Sequence, residues 1–243
     1  MLRSARSLDL PPPFRPVALR ELGDAHAHAI SHAPALGAGT LVFVGRLDVA
    51  EFAVVLEPEE PLAEARRAFY AGMVALVDTL AALAPPDTPI AVAWPDAVWI
   101  GGGLVGGGRL AWPPGAGEDA PPEWLVFGAV IRLVSLCREQ AGLYPLSTAL
   151  ADEGFGAIGV ERLVEGFTRH LLIAFDRWHE GDFAALARDY LARLPLQCGS
   201  RPVVEANGDL RLTLPGRPVA RRDLRAALAT PSWLDAATGT PRR

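Results

Sequence analysis

Two rhythms of apolar residues run along the chain, one helical and one extended. In "PLAEARRAFYAGMVALVDTLAAL" the apolar positions Leu62, Ala65, Phe69, Met73, Leu76, Val77 and Leu80 recur at intervals of three and four, the spacing of one helix face. This predicts a single long helix, with Arg66 and Arg67 as solvated charge near its start. "VERLVEGFTRHLLIAFDRWHE" puts Leu163, Phe167, Leu171, Ala174, Phe175 and Trp178 on one stripe, and "DFAALARDYLARL" repeats the pattern after Asp182, which suits an N-cap. Asp24 offers another N-cap before "AHAHAISHA". The extended rhythm falls elsewhere. Residues 17–22 read as a short strand, "TLVFVGRL" and "EFAVVLEP" as an antiparallel pair turning at Asp48, and "IAVAW" and "AVWI" as strands around Pro95. "EWLVFGAVIRLV" is apolar on both faces, as in a strand covered on both sides.

Punctuation completes the outline. Pro85, Pro86 and Pro89 stop the first long helix, "PPGAGEDAPP" is a proline-rich loop, and Asn207-Gly208 between two short extended runs marks a hairpin. Several strands with a few long helices indicate an α+β fold: a mostly antiparallel mixed sheet with packed helices, plus a small C-terminal β-hairpin module. The expected divisions are a flexible leader at 1–14, a main domain at 15–195 and a small accessory domain at 196–243. No internal repeat is present.

Composition narrows the function. The chain has 243 residues, 50% hydrophobic and 21% charged, with a formal net charge of -5. It has no basic run, which argues against a nucleic-acid surface. The longest apolar stretches are interrupted, as by Arg132, and fall short of the ~20 residues of a membrane span. The N-terminus lacks the apolar segment of a secretory signal, so the expected location is the cytoplasm and no membrane partner is expected. Cys137 and Cys198 form no C-x-x-C motif, and no structural metal is expected. All 23 basic residues are arginines. The absence of lysine removes a chemical tool.

Six glycines lie within eight residues, Gly101 to Gly108. A phosphate loop needs lysine after its last glycine and a helix beyond it; here Arg109 and Leu110 follow, and no helical pattern succeeds them. The dinucleotide-binding reading fails for the same reason. Gly101, Gly102 and Gly103 suit a tight turn, while Gly106, Gly107 and Gly108 strip one strand of side chains. Such a strand admits either a ligand or another part of the chain. His26, His28 and His32 are also close in sequence, but on a helix only His28 and His32 share a face. They read as ordinary helix histidines, with His26 beside Gly23-Asp24 the best placed to meet a pocket. Trp99, Trp112 and Trp124 surround the glycine segment and suit either core or a ring-lined pocket.

"AWPDAVWIGGGLVGGGRL" followed by "EWLVFGAVIRLV" resembles the catalytic core of the biotin and lipoate protein ligases, in which a K-W-P-N-D strand leads through a hairpin to G-G-I-L and G-I-G-I-N strands. "ALRELGDAHAHA" stands where that family has E-x-x-D-S-T-N, and "GTLVFVG" leads to where it has a glycine-arginine loop; the likeness covers most of residues 15–195. The final module, ending in "SWLDAATGT", looks like a small accessory domain of bacterial relatives. The resemblance implies ATP, an acyl-adenylate, a small carboxylate (biotin, lipoate or a fatty acid) and a carrier domain as ligands or partners. It implies a ligand site at His26, Arg46, Trp94, Asp96, Gly106, Gly107, Gly108 and Arg109. The match departs from the family where charge is needed to hold two anions together. Ala93 stands at the strand lysine, Leu104 near the hairpin lysine, Asp96 at the asparagine and Ala97 at the aspartate, and the loop has shrunk to Gly45-Arg46. Related octanoyl transferases carry a nucleophilic cysteine near the position of Cys137, but they also use a lysine, so Cys137 reads as a buried structural thiol. The reading is a divergent family member that binds a carboxylate or acyl-type ligand without standard ligation. The alternative is an active acyl-adenylate-forming ligase or acyltransferase using arginine and histidine in place of lysine.

Overall fold

The computed structural model describes residues 8–135 and 146–242. The extended runs form β1 (Arg15–Leu19), β2 (Thr40–Val44), β3 (Val49–Leu56), β4 (Ile90–Ala93), β5 (Ala97–Ile100), β6 (Gly103–Ala111) and β7 (Leu125–Arg132). They make one sheet in the order β1-β2-β3-β7-β6-β5-β4. Adjacent strands are antiparallel except β1 and β2. That parallel pair is joined through α1 (Ala25–Leu36), because a parallel connection needs a crossover that a tight turn cannot supply. Asp24 caps α1 as expected, its Oδ1 accepting from Ala27 N at 2.8 Å.

Period-two alternation divides β2, β3 and β7 between two cores. Phe43, Phe52, Val54 and Phe127 face the main core with Phe69, Leu76, Phe167 and Leu171. Val42, Val44, Ala53, Val55 and Val126 face α1. The helices of the main core are α3 (Ala68–Leu83), α4 (Val160–Gly181) and α5 (Phe183–Leu191), the last capped by Asp182, whose Oδ1 accepts from Phe183 N.

The single long helix expected from residue 62 onward is two pieces, α2 (Leu62–Ala65) and α3. The arginines at the break explain it. Arg66 is buried, paired with Glu118 at 2.6 Å and set over the Trp112 ring; Arg67 pairs with Glu64 and lies over Trp178 and Phe183. Neither is solvated helix charge. The proline-rich loop supplies the partners of α2, Ala120 O and Glu118 O accepting from Leu62 N and Ala63 N.

After α5, β8 (Arg201–Val204), β9 (Leu210–Thr213) and β10 (Ala220–Arg222) form a small sheet that turns at Asn207-Gly208, followed by α6 (Leu224–Leu228) and the two-residue strands β11 (Leu234–Asp235) and β12 (Thr240–Pro241). This region shares the main core through Leu210, Leu224 and Leu228, and Tyr70 donates to Gly208 O at 2.6 Å. The other end is packed as well: Phe14 is buried, Leu8 and Leu10 lie against the core, and Asp9 meets Arg169 of α4. Among the described residues, no helix is long and apolar enough to cross a membrane.

Candidate ligand site on the α1 face of the sheet

The face of the sheet that carries α1 is covered by that helix over β2, β3 and part of β7. Two rows of cross-strand neighbours on this face each contain a glycine, the first partly under α1 and the second beside it. In one row Ala53, Gly128 and Arg109 are partners across β3, β7 and β6. In the next, Glu51, Val130, Gly107 and Ala97 are partners across β3, β7, β6 and β5. Each glycine leaves room for an aromatic ring from outside the sheet. A Cβ on Gly128 would lie 2.5 Å from His26 Nδ1, and one on Gly107 would lie 2.4 Å from Trp233 Cδ1.

Charge gathers where α1 begins. Glu51, the lone acid in the apolar run of β3, is buried and accepts from Ala25 N at 2.8 Å. Arg109 reaches Asp24 at 3.3 Å and Glu51 at 4.0 Å. Burial raises the Glu51 carboxyl above its ordinary range, although the Ala25 N–H opposes this. Burial, and then the charge of Arg109, hold the His26 imidazole well below the usual histidine range, so at neutral pH it is an uncharged ring. Three buried polar atoms here lack a protein partner: His26 Nδ1, Arg109 Nε and Trp99 Nε1. Such atoms are uncommon because each gives up hydration without a replacement bond.

The residues expected at the site divide among several environments. His26 and Arg109 come together with Glu51 and Asp24. Asp96 lies at the edge of the Gly107 row; both its oxygens accept from Ser232, from N at 2.8 Å and Oγ at 2.6 Å, and burial raises its carboxyl against those bonds. Arg46 is held by Asp48 at 2.6 Å. The three strand glycines serve different ends. Gly106 has φ +152° and a Cβ there would meet Val130 O at 1.9 Å, Gly107 opens towards Trp233, and Gly108 opens to the helical layer, where Met73 Sδ and Phe127 stand. Trp94 also faces that layer and donates to Tyr70 Oη at 3.2 Å. His28 and His32 stack at 4.3 Å on α1, away from His26. Cys137 lies outside the described residues.

Ala93 and Leu104, which the resemblance sets at and near the positions of the family's lysines, belong to the apolar patch around Trp233 with Val49, Ala97 and Val130. Glu51, Gly128, Ser232 and Trp233 also lie here and were not among the residues expected from the sequence. Two signals were available, a single acid at the head of an apolar strand and a glycine inside one. Nothing local marked Ser232 and Trp233, since their partners lie more than 120 positions away.

Known proteins share this fold. A biotin protein ligase-like protein of unknown function from Silicibacter sp. is 27% identical, with a TM-score of 0.77 over 92% of this chain and 100% of that one. A biotin protein ligase from Aquifex aeolicus shares the fold at 12% identity, with a TM-score of 0.65 over 86% of this chain and 99% of its own. A biotin protein ligase from Leishmania major, solved with biotinyl-5-AMP, matches at 12% identity and a TM-score of 0.52 over 88% and 99%. No curated protein matches the sequence. The model of the Biotin/lipoate A/B protein ligase family matches residues 10–192, and the chain belongs to that family.

Proposed function

We propose that the protein binds a small carboxylate or acyl-type ligand on the face of the sheet that carries α1 and Trp233, and does not perform ATP-dependent ligation of biotin or lipoate. The carrying observation is the unpartnered pair His26 Nδ1 and Arg109 Nε, buried beside an apolar patch. A carboxylate head could take the place of Asp24 at Arg109, since Asp24 is largely exposed and its contact is long at 3.3 Å. An acyl chain or ring would then extend over the apolar rows.

A nucleoside triphosphate fits less well. It brings several negative charges, and of the described arginines of this face Arg46 is held by Asp48 and Arg132 by the carbonyls of Pro241 and Arg242, so the charge would fall on Arg109. The amide of Ala25 at the start of α1, a natural anion donor, already serves Glu51. On the resemblance, Ala93 stands at one family lysine that would answer an α-phosphate and Leu104 near the other. Loss of several groups that act together costs orders of magnitude in rate.

The test is a thermal-shift series with biotin, lipoate, octanoate, ATP and AMP, followed by a pyrophosphate-release assay. An acid present at one hundred times its Kd is expected to stabilise by about 2.7 kcal/mol, a shift of a few degrees for a domain of this size. No pyrophosphate above the protein-free control is expected. Release with biotin or lipoate would instead establish the acyl-adenylate reading, and no shift with any acid would sink ligand binding.

A further inference from the structure

The ring over Gly107 comes from 125 positions beyond its acceptor. Trp233 Nε1 donates to Gly108 O at 3.0 Å, and the ring is fully buried. Two other anchors flank it. Ser232 donates twice to Asp96, and Arg132 Nη2 donates to Pro241 O at 2.6 Å and Arg242 O at 3.1 Å. Between the anchors the chain forms the hairpin of β11 and β12, with two residues in each strand and an exposed turn at 236–239. Only Trp233 and Pro241 of residues 231–242 are buried. A hairpin this short has little stability of its own, and regions with few buried side chains open below the global unfolding free energy.

The floor beneath this segment is unusual for a strand. Val130 and Ala97, the neighbours of Gly107, cover their own share of the sheet with their own side chains, as does Leu104 further along β6. At Gly107 the cover comes from outside. Lifting the indole would therefore uncover an apolar seat of about its own size, one strand position pair away from Arg109, with Glu51 in the same row. The seat would lie beside the charged group rather than in a separate part of the fold.

We propose that residues 231–242 form a displaceable strap, whose Trp233 occupies the floor of the ligand site in the closed state. A ligand gains that floor when the strap lifts, its apolar portion replacing the indole and its acid or carbonyl head reaching the Arg109 row. The identity of the ligand rests on the acyl-binding reading above; the movement of the strap does not. A closed strap weakens apparent affinity by the fraction of molecules that are open, so a site open in about 1% of molecules binds roughly one hundredfold more weakly than a bare one.

The experiment compares the full-length chain with Ser232→Ala, which removes one anchor on Asp96 and leaves the core untouched. Hydrogen exchange is read on 231–242 and on β6 and β7, and octanoate is titrated into both proteins. The strap amides are expected to exchange faster than those of β7 in the wild type, and about tenfold faster again in the variant, since a bond to a carboxylate is lost. Octanoate is expected to bind the variant about tenfold more tightly and to accelerate strap exchange in the wild type. Exchange of 231–242 in step with β7 in both proteins overturns the strap while leaving ligand binding open. A strap that opens more readily with no change in octanoate affinity also overturns it. If the strap opens locally but octanoate, biotin and lipoate bind neither protein, the movement stands and the acyl-binding reading falls. Should Ser232→Ala leave exchange unchanged, full-length Trp233→Ala, which empties the seat directly, must bind octanoate more tightly than wild type, or the proposal fails.

Discussion

At the scale of single residues, one strand uses three adjacent glycines for three reasons, and only one concerns the face that carries Trp233. At Gly107 a Cβ would lie 2.0 Å from Asp96 O as well as 2.4 Å from the Trp233 ring. The first contact is with backbone, so it cannot be relieved by rotating a side chain. Gly107→Val is expected to destabilise the domain by about 1–3 kcal/mol through overpacking. Gly107→Ala should be nearly as costly, because the offending atom is Cβ itself. Chemical denaturation of both variants decides the matter, and a valine tolerated within about 0.5 kcal/mol, the range of an unconstrained surface change, would remove the packing explanation. The sequence showed that β6 lacks side chains over these positions. It could not show which face each glycine serves, because that depends on register against β5 and β7 and on an indole far along the chain.

At the scale of elements, the break between α2 and α3 teaches the limit of periodicity. The three-and-four spacing from Leu62 to Leu80 continues through Arg66 and Arg67, and spacing alone therefore reads as one helix. What interrupts it is the loop 113–122, whose Glu118 meets Arg66 while its carbonyls cap α2. Removing Glu118 leaves the buried guanidinium of Arg66 without its carboxylate, whereas removing both charges leaves no uncompensated ion. Glu118→Ala is accordingly expected to cost about 1–3 kcal/mol, and the double variant Arg66→Met/Glu118→Ala less than the single one. A double-mutant cycle by urea denaturation measures the coupling; a cycle that closes additively would reduce the pair to a surface contact.

At the scale of the whole molecule, the buried ionisable groups shape stability against pH in opposite directions. His26 has its folded pKa lowered by burial and by Arg109. The unfolded chain therefore binds the proton more readily, and stability falls as pH drops below about 6.5, approaching 1.4 kcal/mol per pH unit before the folded value is reached. Glu51 and Asp96 have folded pKa values raised, by burial in each case. Their contribution is fully present below their unfolded pKa and is lost as pH rises through the folded one, so as pH falls through their folded values they offset part of the histidine loss. Denaturation midpoints from pH 8 to 5 should decline in the wild type and decline less in His26→Gln; equal slopes would remove His26 as the cause. By itself the sequence determined the order of strands and helices along the chain, the caps at Asp24 and Asp182, the mixed sheet and the missing lysines, because spacing, capping and turn chemistry act over a few residues. Only the tertiary structure decided that His26 and Arg109 meet at the Gly128 row with Glu51 in the row beside it, that Trp94 and Gly108 face the helical layer, and that Trp233 closes the floor at Gly107. Those relations join residues brought together by cross-strand register and by a distant segment, and no local pattern encodes the distance between them.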